Sequence, residues 1–220
     1  MANPLIALLG VAAILSMQGY GHLSDPGTPA PKAKSKKARP PVYVLLPAVP
    51  GRGIRDVPNI AIKYYDVTGK NFAEVVRAIE AQRKNPATGQ VSPGGAGYGL
   101  GANVNKETVK DKCTVVDAQI KFTPSAELPR LANEAALAPA DLAQWRAYLS
   151  QIEVPAAASL WFIADRTDAV QKSMIGKECD LGVKTGNDGL AKLRADHAAF
   201  QQQYAASLAA QAAVAQPKKK

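Results

Sequence analysis

Histidine is nearly missing from this sequence of 220 residues: His22 and His197 are the whole supply. That count excludes a metal centre built on several imidazoles. Cysteine is as sparse, with Cys113 and Cys179 alone, and their spacing matches neither a redox pair nor a paired-cysteine zinc site. Aromatic residues make up only 6%. No lysine or arginine precedes the apolar run Leu5–Met17, and no cysteine follows it where a lipid anchor would need one. Surface basicity is scarce too. The formal charge is +9, yet eight of the 27 basic residues sit in the runs Lys32–Arg39 and Lys218–Lys220, leaving residues 40–217 with 19 basic side chains against 17 acidic ones. A nucleic-acid-binding domain clusters its cations on the folded surface, so no nucleic-acid partner is expected.

What is present suits one hydrophobic core: 47% of residues are apolar and 20% charged, which excludes wholesale disorder and collagen-like repeats. Leu5–Met17 is uncharged over thirteen residues, short of the about 20 that a membrane span needs. It fits the apolar core of a secretory signal, with Gly19 and Gly21 marking a cleavage site. Residues 1–21 are therefore expected to be a signal peptide and the protein periplasmic or secreted, an N-terminal membrane anchor being the alternative. Residues 22–41 carry five prolines and five basic residues and read as a linker. A single domain over 42–213 and a basic tail over 214–220 complete the chain. The basic tails imply a weak association with acidic envelope surfaces. In an oxidising compartment Cys113 and Cys179 would pair, closing a loop of 66 residues and stabilising the fold by about 4 kcal/mol. Two separate buried thiols are the other possibility.

Within the domain, Val42–Leu46 and the β-branched, aromatic run Ile60–Val67 read as strands. Asn71 is placed to cap a helix, with Glu74 three positions on and Phe72, Val75, Val76 and Ile79 on one face. Six glycines between 89 and 101 suggest a hairpin or strand approach. Gly97-Tyr-Gly-Leu-Gly101 has no leading strand and no following Lys-Ser/Thr, so it is no phosphate loop. From Cys113 the sequence CTVVDAQIKFTPS alternates as a half-buried strand. After Pro129 the spacing turns helical: Leu142, Trp145, Leu149 and Ile152 share a face, Pro155 is expected to end that helix and start another, and Leu160, Ile163, Thr167, Val170 and Met174 follow. Leu190, Leu193, His197, Phe200, Tyr204 and Leu208 mark a last helix. The fold class is α+β: a small, mainly antiparallel sheet with one early helix, then a helical C-terminal half.

Several stretches together resemble a bacterial family of exported proteins of unknown function, often labelled predicted secreted zinc-dependent proteases. They are YYDVTGKNFAEVVRAI (Tyr64 to Ile79), the strand after Cys113, Leu128-Pro129-Arg130, Trp145 with Tyr148-Leu149, and Cys179. The resemblance covers roughly residues 58–205 and implies zincin-like helices. Typical members carry His-Glu-x-x-His on the helix after the tryptophan, where two imidazoles one turn apart hold zinc and the glutamate takes a proton from the metal-bound water. The corresponding stretch is Ile152-Glu-Val-Pro-Ala156. Glu153 persists as a vestigial candidate, but Ile152 and Ala156 cannot ligate a metal. The resemblance thus implies a degenerate member, for which neither cofactor nor metal is expected.

His197 lies on the Leu193/Phe200/Tyr204 stripe and reads as a packed helix residue. Asp196 and His197 diverge by about 100° on a helix, and no serine partner can be nominated from the sequence. A Cys-His nucleophile would need an unpaired cysteine, and Asp165/Asp168 and Glu178/Asp180 read as solvated pairs. Three readings follow. The first is a non-catalytic binding or scaffolding module of the cell envelope, with an envelope protein or peptide as partner. The second is a hydrolase rearranged around Glu153 and His197, with a carboxylate such as Asp168. The third is an assembly protein associating through the helix Gln201–Gln216.

Overall fold

The computed structural model describes residue 46 and residues 49–215. The expected signal, linker and basic tail, and most of the Val42–Leu46 strand, lie outside the described residues. A 3-10 turn, Ile54–Asp56, leads into β1 (Ala61–Val67). Helix α1 (Phe72–Arg83) follows, then β2 (Gly95–Val109) and β3 (Lys112–Leu131). A second 3-10 turn, Glu134–Ala136, precedes two long helices, α2 (Pro139–Met174) and α3 (Cys179–Ala215). The fold is α+β. Its sheet has the order β1-β3-β2 and is mixed: β2 pairs antiparallel with β3 over its whole length, whereas β1 lies parallel to β3 on its other edge, the connection between them running through α1 and β2.

Helix α1 starts as its sequence dictates. The Asn71 side chain accepts from Glu74 N at 3.0 Å, and Glu74 Oε2 accepts from Lys70 N at 2.9 Å, so two donors at the helix start are satisfied by side chains. Phe72, Val75 and Ile79 are buried, packed in one core with Val67, Leu128 and Leu131 of the sheet and Trp145, Ile152 and Leu160 of α2.

The β2–β3 hairpin turns at Lys110 and Asp111, both at positive φ (48° and 64°), which is the backbone a two-residue turn needs to match strand twist. Two prolines sit in the central strand β3, where a missing donor would normally break a ladder. Each has a strand on one side only. Pro124 faces Tyr98 of β2 and precedes the first β1 partner, Ser125; Pro129 faces Tyr65 of β1 and lies beyond Glu127, the last β2 partner. Each proline therefore has one side with no strand, to which a missing N–H costs no ladder bond.

Pro155 does not end a helix: α2 runs unbroken from Pro139 to Met174 with the proline inside it. The expectation of a break weighed the ~3 kcal/mol that an interior proline costs and left out the packing on either side. Trp145, Tyr148, Ile152, Ala156, Leu160 and Ile163 are all buried at helical spacing that keeps its phase through position 155. Burying side chains of that size stabilises by about 1.5–3 kcal/mol each, so the face outweighs the fault. The six glycines of 89–101 also resolve: those from Gly95 onward belong to the edge strand β2.

Cys113 and Cys179 form a disulfide with Cα atoms 5.4 Å apart, tying the start of β3 to the start of α3. Around it Val115 N donates to Lys177 O and Gly176 N to Val115 O, each at 2.8 Å. Gly182 permits the close approach of α3, since a Cβ there would lie 2.5 Å from Val115 Cγ2 and 3.2 Å from the Met174 carbonyl.

Candidate functional site

Glu153 stands on α2 between two core residues. Ile152 is 4% exposed and Ala156 8%, so the positions that would carry ligands in the resemblance point hydrocarbon into the core. The glutamate itself is half-buried against Arg55, whose Nη2 donates to Glu153 Oε1 at 3.1 Å while its Nε donates to the Tyr64 hydroxyl at 3.3 Å. Those two acceptors keep the Arg55 guanidinium charged, the Tyr64 hydrogen bond contributing most. Among the described residues no three His, Cys, Asp or Glu side chains gather as metal ligands. The residues present do not fit a zinc ion: the one oxygen donor is already matched by a cation, and its neighbours have no donor atom.

His197 lies elsewhere, at the junction of α2, α3 and β2, and is 6% exposed. Ser159 Oγ is 2.6 Å from its Nε2 and the Tyr98 hydroxyl 3.1 Å from its Nδ1. Gln201 Nε2 donates to the same Ser159 oxygen at 3.3 Å. Tyr98 meets the imidazole edge-on and Phe162 packs at a tilt. Burial pushes the His197 pKa below its ordinary value and that of Tyr98 above its own, so the neutral forms are favoured. Ser159 is the partner that sequence reasoning did not nominate. It is 38 residues from His197, and nothing local marks it beyond its place on α2.

Glu153 and His197 are not brought together. Each has its own partners, and Ser159 stands six residues past Glu153 on α2, about 9 Å along the helix at 1.5 Å per residue. Most of the other carboxylates weighed in the sequence are also engaged. Asp168 pairs with Lys172 and Asp196 with Lys192, each four residues apart on its own helix. Glu178 accepts from Asp180 N and Leu181 N at the start of α3, and these bonds hold its pKa below the usual glutamate value. Asp165 takes both Nη atoms of Arg52, at 2.8 and 3.0 Å.

That last pair stands at the edge of a half-open cleft of about 460 Å³, within the range of small-ligand sites. The segment Val49–Ile54 forms one wall. Glu153, Ala157, Trp161 and Asp165 run along the α2 side at intervals of four, and Phe200 and Tyr204 of α3 close it. Trp161 Nε1 donates to the Gly53 carbonyl at 3.4 Å, and the Arg52 guanidinium sits over its ring. Nothing local announced this cleft, whose lining comes from three stretches distant in the sequence.

Residues 62–212 match a family described as bacterial protein of unknown function (DUF922). The chain belongs to the DUF922 family. Its description assigns no activity. The match takes in the sheet, α1, α2 and most of α3, so Glu153, Ser159 and His197 lie within the DUF922 region, while the Val49–Ile54 wall of the cleft lies before it. No curated protein and no solved structure matches the chain. Among the described residues no helix is long and apolar enough to cross a membrane, and the disulfide is compatible with an extracellular location.

Proposed function

We propose that the protein is an exported binding or scaffolding module of the cell envelope, keeping the frame of a protease-like family without its metal chemistry. One observation carries the reading: Ile152 and Ala156, on either side of Glu153, are buried core residues, and the glutamate is ion-paired with Arg55. The Arg55 guanidinium occupies Glu153 Oε1, so that oxygen is not free to orient a metal-bound water. The disulfide supports an oxidising compartment, and the cleft beside Glu153 offers a binding surface.

The test is metal analysis of the purified protein together with peptide cleavage by wild type and Glu153→Gln. Zinc below stoichiometry and no cleavage in either form are expected. Stoichiometric zinc that a chelator removes, or cleavage that Glu153→Gln abolishes, overturns the reading.

A hydrolase using His197 is the competing reading, and the Ser159–His197 hydrogen bond is what favours it. Against it, Ser159 sits inside an unbroken helix, where the neighbouring backbone N–H groups are spent on the helix ladder and none is left to form an oxyanion hole. Labelling of Ser159 by a fluorophosphonate would reinstate it.

A further inference from the structure

The cleft has a direction. Its two ends on α2, Glu153 and Asp165, are twelve residues apart, about 18 Å at 1.5 Å per residue. Between them the α2 side is hydrocarbon: Ala157 and Ala158 leave depth, and Trp161 and Phe162 supply ring faces. At one end Glu153 is neutralised by Arg55. At the other, Asp165 is neutralised by both Nη atoms of Arg52, and one cation is left over. Arg166 lies with its guanidinium carbon 3.8 Å from the Phe162 ring centroid. Its Nη1 donates to the Phe162 carbonyl of the same helix at 2.9 Å. That stacked, tethered guanidinium meets no carboxylate among the described residues, and it belongs to the cleft lining. The interior is apolar along its length and carries one uncompensated positive charge at one end.

We propose that the cleft binds an amphipathic carboxylate, a linear hydrocarbon body lying along α2 with its carboxylate on Arg166. The proposal rests on the binding-module reading and names its ligand class. Charge complementarity fixes the orientation, since the far end already holds an ion pair and would repel a second carboxylate through Glu153. The lining also favours hydrocarbon over a peptide backbone. A peptide must place an N–H and a C=O at every residue, and unpaired polar groups in a cleft are costly. The central lining offers alanine, valine and aromatic carbon.

Trp161 makes the test direct, because the other tryptophan, Trp145, is buried in the core at 1% exposure. Decanoate is titrated into the whole chain with tryptophan fluorescence and calorimetry as readouts, beside decanol and a short peptide ending in leucine, free or amidated. Saturable decanoate binding is expected, with decanol much weaker. Arg166→Gln should weaken decanoate about three- to ten-fold, the yield of a charge-assisted hydrogen bond discounted for exposure, and leave decanol unchanged. Ala158→Phe fills the depression and should remove binding, with circular dichroism confirming the fold. The proposal fails if decanoate does not saturate, if Arg166→Gln binds it as well as wild type, or if the free-acid peptide binds in its place. Zinc content and Glu153-dependent cleavage are measured on the same preparation. Failure of the ligand assignment leaves those blank, whereas failure of the binding-module reading does not.

Discussion

Ser159 and His197 meet across the α2–α3 junction at 2.6 Å, Oγ to Nε2, in a setting that keeps the imidazole neutral. Its burial lowers the His197 pKa from 6.5, so the unfolded chain binds a proton more readily than the folded one, and stability must fall as pH drops. The sign is fixed: the contribution is whole above about 6.5 and is lost progressively below it. A second loss comes lower. Glu127 and Glu178, with pKa values held below 4.5 by the Arg83 hydrogen bond and by backbone N–H groups, give up their contribution as pH falls below that value. Urea midpoints measured across this range should show both steps, and His197→Gln should erase the upper step alone.

Ser159→Ala removes the partner of the imidazole Nε2 without adding volume. An unmet buried polar group costs about 1–3 kcal/mol, so a lower urea midpoint with an unchanged slope is expected. No change in stability would mean that water replaces the hydroxyl.

Pro155→Ala should stabilise the protein by about 1–3 kcal/mol, because it restores an N–H donor and relieves the ring's crowding within an otherwise continuous helix. Thermal unfolding measures it. An unchanged or lower melting temperature would mean that the ring itself contributes packing the core needs.

Gly182→Ala tests two opposed effects. Alanine is the better helix former by about 1 kcal/mol. The new methyl, however, would stand 2.5 Å from Val115 Cγ2 and 3.2 Å from a backbone carbonyl, and forced packing costs about 1–3 kcal/mol. Net destabilisation is expected in urea unfolding. A gain would show that α3 can shift outward at no cost.

Replacing both Cys113 and Cys179 by serine should lower stability by about 2–4 kcal/mol, as expected for opening a long covalent loop. Wild type in reductant should match the variant.

Much of the frame was legible because its signals are local. Asn71 and Glu74 mark the α1 start, the β-branched run marks β1, and two cysteines in a chain expected to be exported suggest one bridge. Pro155 misled because a rule about one residue was set against a whole buried helix face, and only tertiary packing decides between them. Ser159 and the cleft were illegible for another reason. Both arise where segments far apart in sequence meet: residues 49–54 against α2, and position 159 against position 197. No periodicity records such a meeting. The parallel seating of β1 beside β3 has the same origin, since pairing depends on the path of the crossover.

The Cys113–Cys179 bond encloses all of β3 but its first residue, and all of α2, in a covalent ring. A single protease nick between those cysteines would therefore release no fragment, and the two pieces would migrate together until a reductant parted them. A cut in β2 falls outside the ring and separates the chain at once. The module is thus armoured over the stretch that carries Glu153 and Ser159, and vulnerable along its glycine-rich edge.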